Sequence, residues 1–132
     1  MTRRKEPILK RFCIPLIALA LASAEWPLSA HHSWPVNQQR LVTVKGTVLN
    51  FAWGNPHPMI TIEVQTENRQ PEKWVIGGPA ITRMEASGWT KTTVKPGDVI
   101  TGIGYQFSDG QKIIRLERVI LPDGKTLRVY GR

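Results

Sequence analysis

The stretch Leu41-Val42-Thr43-Val44-Lys45-Gly46-Thr47-Val48-Leu49-Asn50-Phe51 decides how the chain is read. Val42, Val44 and Val48 share one parity, with Gly46 between them. Leu49 and Phe51, followed by Trp53, take the other. Alternation with a period of two marks a half-buried strand. The change of parity implies a bulge or bend near Gly46, as when one long strand curls around a barrel.

The segments that follow have the same character. Ile60, Ile62 and Val64 alternate in a second strand, Met59 to Gln65. The polar residues 66–72 then separate it from a short third strand, Lys73 to Ile76, with Trp74 and Ile76 on one face. One helix is expected, Pro79 to Ser87. Proline suits the first turn, and Gly88 suits the left-handed position just past the end. Lys95-Pro96-Gly97-Asp98 is a turn into strand four, where Val99, Ile103, Tyr105 and Phe107 share a face opposite Gly102 and Gly104. Ser108-Asp109-Gly110 turns into strand five, Lys112 to Leu121. Pro122-Asp123-Gly124 turns into a last strand, Thr126 to Tyr130. Three strands, a short helix, two strands and a terminal arm define an all-β class. The expected fold is a small OB-like antiparallel β-barrel of five to six strands, with its helix between strands three and four. Another small antiparallel barrel or sandwich is the alternative.

The N-terminus has a different character. Arg3, Arg4, Lys5, Lys10 and Arg11 precede an apolar run from Phe12 to Ala24. As a helix this run reaches roughly 20 Å, short of the roughly 30 Å of a bilayer core. It reads as a signal-peptide core, with an uncleaved anchor as the alternative. Cleavage fits after Ala24 or after Ala30, and Ala30 is preferred because Pro27 ends the helix ahead of a short cleavage region. The domains are then a signal peptide, 1–30, an N-terminal arm, 31–40, and the OB-like barrel, 41–132. The location expected is periplasmic or secreted, with no transmembrane span after cleavage. Cys13, the only cysteine, leaves with the signal, so the mature chain depends on packing alone. The chain carries a net charge of +8, and its basic residues are scattered. That pattern fits a solvated surface, or attraction to an acidic one.

No catalytic constellation is present. The mature chain has no cysteine nucleophile, no glycine-rich phosphate loop and no serine at a strand-to-helix turn. A non-enzymatic binding module is the expectation. The histidines are His31, His32 and His57. The first two open the expected mature chain, and the third lies in the loop between strands one and two, which flanks the ligand face of OB-folds. Imidazole suits copper, zinc and nickel, and copper(II) leads the affinity order. Cleavage after Ala30 gives His31 a free amine. Its pKa near 8 makes deprotonation at pH 7 cost about 1.4 kcal/mol, against about 4.6 kcal/mol for a lysine. His57 and Met59 point the same way in an extended strand, and a thioether beside an imidazole suits copper(I). The candidate metal ligands are therefore His31, His32, His57 and Met59, with copper favoured. In the plainer reading the paired histidines are exposed polar residues, His57 shapes its loop, and Met59 belongs to the core.

Trp34, Trp53, Trp74, Trp89, Tyr105 and Phe107 sit in a basic barrel. Aromatic grooves of this kind bind single-stranded nucleic acid in OB-folds. Export argues against nucleic acid and leaves a cell-envelope protein or glycan as the second candidate partner. Trp34, Trp53 and Asn55 are its candidate ligand-face residues. The alternative is that most of these rings fill the core.

Four motifs occur in order: His31-His32-Ser33-Trp34, Trp53-Gly54-Asn55-Pro56-His57, Gly88-Trp89-Thr90 and Lys95-Pro96-Gly97-Asp98. Through them the chain resembles a family of uncharacterised bacterial secreted proteins, domain of unknown function 6152. The resemblance covers nearly the whole mature chain. It implies an envelope or secreted location and a small β-barrel, and it supplies no activity. The helix opens Gly78-Pro79-Ala80 where a Ser-Pro start is expected, a departure that bears on the cap alone.

Overall fold

A computed structural model describes residues 33–130 of the chain. The strands are β1 (Val36–Ala52), β2 (Met59–Gln65), β3 (Pro71–Gly77), β4 (Val99–Phe107), β5 (Ile113–Ile120) and β6 (Thr126–Arg128). The helix α1 (Ile81–Ala86) lies between β3 and β4. β1 pairs antiparallel with β2 and β4, β2 with β3, and β4 with β5. A parallel pairing of β3 with β5 closes the circuit. The circuit β1-β2-β3-β5-β4 is that of a five-stranded OB-like barrel, and β6 extends it beside β5.

β1 begins at Val36, five residues before the expected Leu41, because Val36 pairs with Phe107 of β4. Four residues, Asn37 to Arg40, then arch outward before pairing resumes at Leu41 opposite Tyr105. The expected irregularity near Gly46 falls later. Val48 pairs with Ile62 and Asn50 with Thr61, so Leu49 is the inserted residue. The turn before β4 accounts for the position. Val48 donates to the Asp98 carbonyl at 2.8 Å and accepts from the Gly97 amide at 2.9 Å. Beyond Val48 the strand leaves β4 and follows β2.

Val44, Val48, Ile60, Ile62, Ile76, Ile100, Ile114, Leu116 and Val119 fill the barrel and are buried. β4 departs from its apolar pattern. Its interior face is Ile100, Gly102, Gly104 and Gln106, while on the outer face Val99 is exposed, Ile103 is buried, and Tyr105 and Phe107 are half-buried. The reason is space. A Cβ at Gly102 would crowd the Ile76 side chain, and one at Gly104 would collide with the Arg115 carbonyl. Burying the one polar side chain, Gln106, is made possible by its amide donating to the Gly110 and Gln111 carbonyls.

α1 starts at Ile81, two residues after the expected Pro79, with Ala80 at the N-cap and no side-chain cap bond. Its end matches expectation. Gly88 has φ +88°, its amide bonds Glu85, and the Trp89 amide bonds Met84. This is the Schellman arrangement, which glycine's freedom at positive φ permits. It turns Trp89 into the core, 6.2 Å from the Phe51 ring, with Met84 buried alongside.

Two outcomes follow. Gly104→Ala should lower unfolding stability by about 3 kcal/mol or more in urea titrations, because the neighbour it strikes is backbone rather than a side chain that can move. The Asp98 carboxylate accepts the Lys95 amide at 3.0 Å and the Lys95 ammonium at 2.7 Å. These bonds, that to the ammonium first, hold its pKa below the ordinary 3.8. Its contribution is therefore present above pH 3.8 and fades as pH falls through the lowered value. Asp98→Asn should cost about 1 kcal/mol at pH 7, and the gap from wild type should narrow steadily in titrations below pH 3.8.

Candidate functional site

Three segments meet at one end of the barrel: the residues before β1, the loop joining β1 to β2, and the end of β4. Pro35 turns the first of these so that the Val36 amide bonds the Trp34 carbonyl at 2.8 Å. The Ser108 amide bonds the Pro35 carbonyl at 2.8 Å, and the segment is thereby fastened to the end of β4. Trp34 then lies edge-on to His57, ring centroids 4.8 Å apart, and to Phe107 at 5.5 Å. Beneath its six-membered ring is Gly77, the last residue of β3, where any Cβ would collide with the ring.

His57 is held on its C-terminal side. Pro58 is fully buried, and its carbonyl accepts the Gly78 amide at 2.8 Å. The imidazole is half-buried, and its Nδ1 is buried with no hydrogen-bond partner. A buried nitrogen left in this state costs about 1–3 kcal/mol. Ser33, Trp34, Pro35, His57 and Phe107 line an open depression of about 230 Å³. Met59 pairs with Gly77 across β2 and β3, so its half-buried side chain and the Trp34 ring lie on the same side of the sheet.

The expected site residues therefore divide. Trp34 and His57 are brought together, with Met59 beside them. His31 and His32 lie outside the described residues. Asn55 is exposed in the loop, and half-buried Trp53 packs against Phe51, ring centroids 5.5 Å apart. Neither lines the depression. Phe107 and Gly77 are the residues sequence reasoning missed at this site. Phe107 was legible as one of four apolar residues on a face and as one of six rings in the aromatic reading, but not as a neighbour of Trp34. Gly77 matters because it sits beneath a ring 43 residues earlier in sequence, and no local pattern reports such a contact. Among the described residues no group of three or more His, Cys, Asp or Glu side chains is placed to hold a metal.

The fold is a small OB-like barrel, and a tryptophan from the segment preceding its own first strand packs over Gly77 at the end of β3. The chain belongs to the family of unknown function DUF6152, which it matches over residues 18–114. No curated protein matches the sequence. Among solved structures it is similar to the mitochondrial single-stranded DNA binding protein Rim1 of S. cerevisiae, with TM-score 0.48 and 11% identity, over 62% of this chain and 92% of that one. It is also similar to a chain of a complex of TiaS with a transfer RNA and ATP, with TM-score 0.46 and 14% identity, over 68% of this chain and 20% of that one.

The Trp34 contact can be tested by hydrogen exchange. Trp34→Ala should accelerate exchange of the Ser108 amide and lower global stability by only about 1 kcal/mol, as expected for a half-buried ring. Gly77→Ala should produce the same local signature, because the added methyl displaces the ring. Unchanged Ser108 exchange in both variants would show that the ring does not hold the segment down.

Proposed function

We propose that this protein is a non-enzymatic binding module that takes a transition-metal ion, copper in particular, beside the Trp34–His57 contact. His57 is the anchored ligand, His31 and His32 supply further donors, and Met59 is an auxiliary thioether. The observation that carries the reading is the contact of Trp34 with His57, together with the partnerless Nδ1 of His57. His32 is two residues from Trp34, and two residues span at most about 7 Å. Coordination would satisfy the orphaned nitrogen, with Nε2 carrying the ring proton. Imidazoles and an amine suit copper(II), and the thioether extends the set towards copper(I). Export to the periplasm or medium, with cleavage after Ala30, belongs to the same proposal. It rests on the basic, apolar and small-residue order of the first thirty residues, and it makes the His31 amine available.

A second reading has its own support. Pro35, Trp34 and Phe107 make the depression largely apolar and aromatic, a surface on which a sugar ring or an envelope protein can stack. The two readings differ in what they are sensitive to. In native mass spectra of the exported protein given one equivalent of copper(II), the metal reading expects a chain starting at His31 with one retained ion. His57→Ala should lose more than about 100-fold in affinity, beyond the cost of losing an outer-shell partner. Equal copper affinity in wild type, His57→Ala and an N-terminally extended form would overturn it. The second reading expects Trp34→Ala, and not His57→Ala, to weaken retention on an envelope fraction.

A further inference from the structure

Arg118 of β5 and Arg128 of β6 are cross-strand partners. Their side chains leave the sheet on the same side, with Cβ atoms about 5 Å apart. Like charges placed directly opposite destabilise a sheet, so the pair calls for a counter-charge. The register shows what shares its face. Arg118 pairs with Ile103 and Arg115 with Tyr105. Ile103 and Tyr105 are two residues apart on β4, so all four lie on the outer side of the sheet, where Ile103 is buried and Tyr105, Arg115 and Arg118 are half-buried. Arg115 is already engaged. It bonds Glu117 at 2.8 Å and lies over Tyr105 and Tyr130, 5.2 Å and 5.3 Å from the ring centroids. Arg83 of α1 lies over Tyr130 at 5.4 Å. Among the described residues the ion pairs are Lys95–Asp98, Lys112–Glu72 and Arg115–Glu117. Arg83, Arg118 and Arg128 take part in none of them.

The outer face of β4, β5 and β6, with α1 beside it, thus carries four guanidinium groups and two tyrosine rings. Glu117 is the one carboxylate paired there. We propose that this face docks on an anionic phospholipid surface, with Arg118 and Arg128 gripping lipid phosphates. Guanidinium binds phosphate through two parallel hydrogen bonds, and a phosphate between two opposed arginines removes their repulsion. Tyrosine suits the headgroup region, where one end of the ring is apolar and the other wet. The arginines are spread over two strands and a helix. That spread matches a surface bearing many phosphates better than a single ion.

The experiment is sedimentation of the full chain with vesicles of phosphatidylglycerol or of phosphatidylcholine. Wild type is expected to prefer phosphatidylglycerol, with a preference that falls as salt rises. Each arginine near an anionic surface contributes about fivefold in partitioning, so Arg118→Gln with Arg128→Gln should lower it about 25-fold. Residues 12–24 are common to every variant, so the effect is read as a ratio between variants. Lys73→Gln with Lys91→Gln, which removes the same charge outside β4, β5 and β6, should change it far less. Equal losses in the two double variants would reduce the effect to net charge and overturn the proposal. So would wild-type binding without preference for phosphatidylglycerol. Displacement by inorganic phosphate at constant ionic strength would make the pair a site for a free ion and overturn the membrane assignment.

Discussion

A parallel pairing of β3 with β5 closes the sheet into a barrel. Only three residue pairs make it: Val75 with Ile113, Ile76 with Ile114, and Gly77 with Arg115. The Lys112–Glu72 ion pair at 2.8 Å and the bond from the Val75 amide to the Lys112 carbonyl at 2.9 Å reinforce one end. Without this pairing β3 and the 113–115 stretch of β5, which β6 does not cover, are open edges, and the inner face of the sheet is left exposed. With it, Ile76 and Ile114 meet inside the barrel, and Gly102 has to lack a side chain to admit them. The same closure sets Gly77, on which Trp34 packs, beside Arg115. The end of β3 under Trp34 and the arginine-bearing strand β5 therefore meet at this seam, while β4 and β6 set the partners of Arg115 and Arg118.

Elements and their order were legible because they are written in local patterns. Alternation in β1, β2 and β5 reports a half-buried sheet. Gly88 past α1 and the Lys95–Asp98 turn report chain reversals whose hydrogen bonds are satisfied within a few residues. Errors arose where a distant partner decides. The bulge lies at Leu49 rather than near Gly46 because the 97–98 turn captures Val48. In β4 the four apolar residues do share a face, but it is the outer one, where Ile103 alone is buried, and the glycine face turns inward because the interior is already filled by Ile76 and by the backbone of β5. A glycine-bearing face is a weak signal by composition and a strong one by packing, and only the packed barrel distinguishes the two.

The candidate site was legible in part for the same reason. Trp34 and His57 stood out as chemistry-bearing residues near a terminus and in a loop, and the fold brings them to 4.8 Å. Trp53 stood out equally and belongs instead to the aromatic group with Phe51 and Trp89 beneath the barrel's bent strand. Trp53 and His57, two ends of one short motif, thus go to different places. The bulge at Leu49 contributes to this, since one inserted residue exchanges the faces of the strand beyond it and carries Phe51 and Trp53 towards Trp89.

The arginine face was invisible in sequence because its charges come from 83, 115, 118 and 128, scattered positions with no run among them. Scattered basic residues read correctly as a solvated surface wherever each finds a carboxylate or open water. Cross-strand register changes that reading at Arg118 and Arg128, which the sheet holds opposite each other. A surface charge with freedom to move can avoid its neighbour, while a cross-strand pair anchored at the backbone keeps much of its repulsion. Repulsion held in place by the fold is a standing preference for an anion. It lies on the β5–β6 ribbon, whereas the metal-binding proposal is centred on His57, so the two can be tested independently.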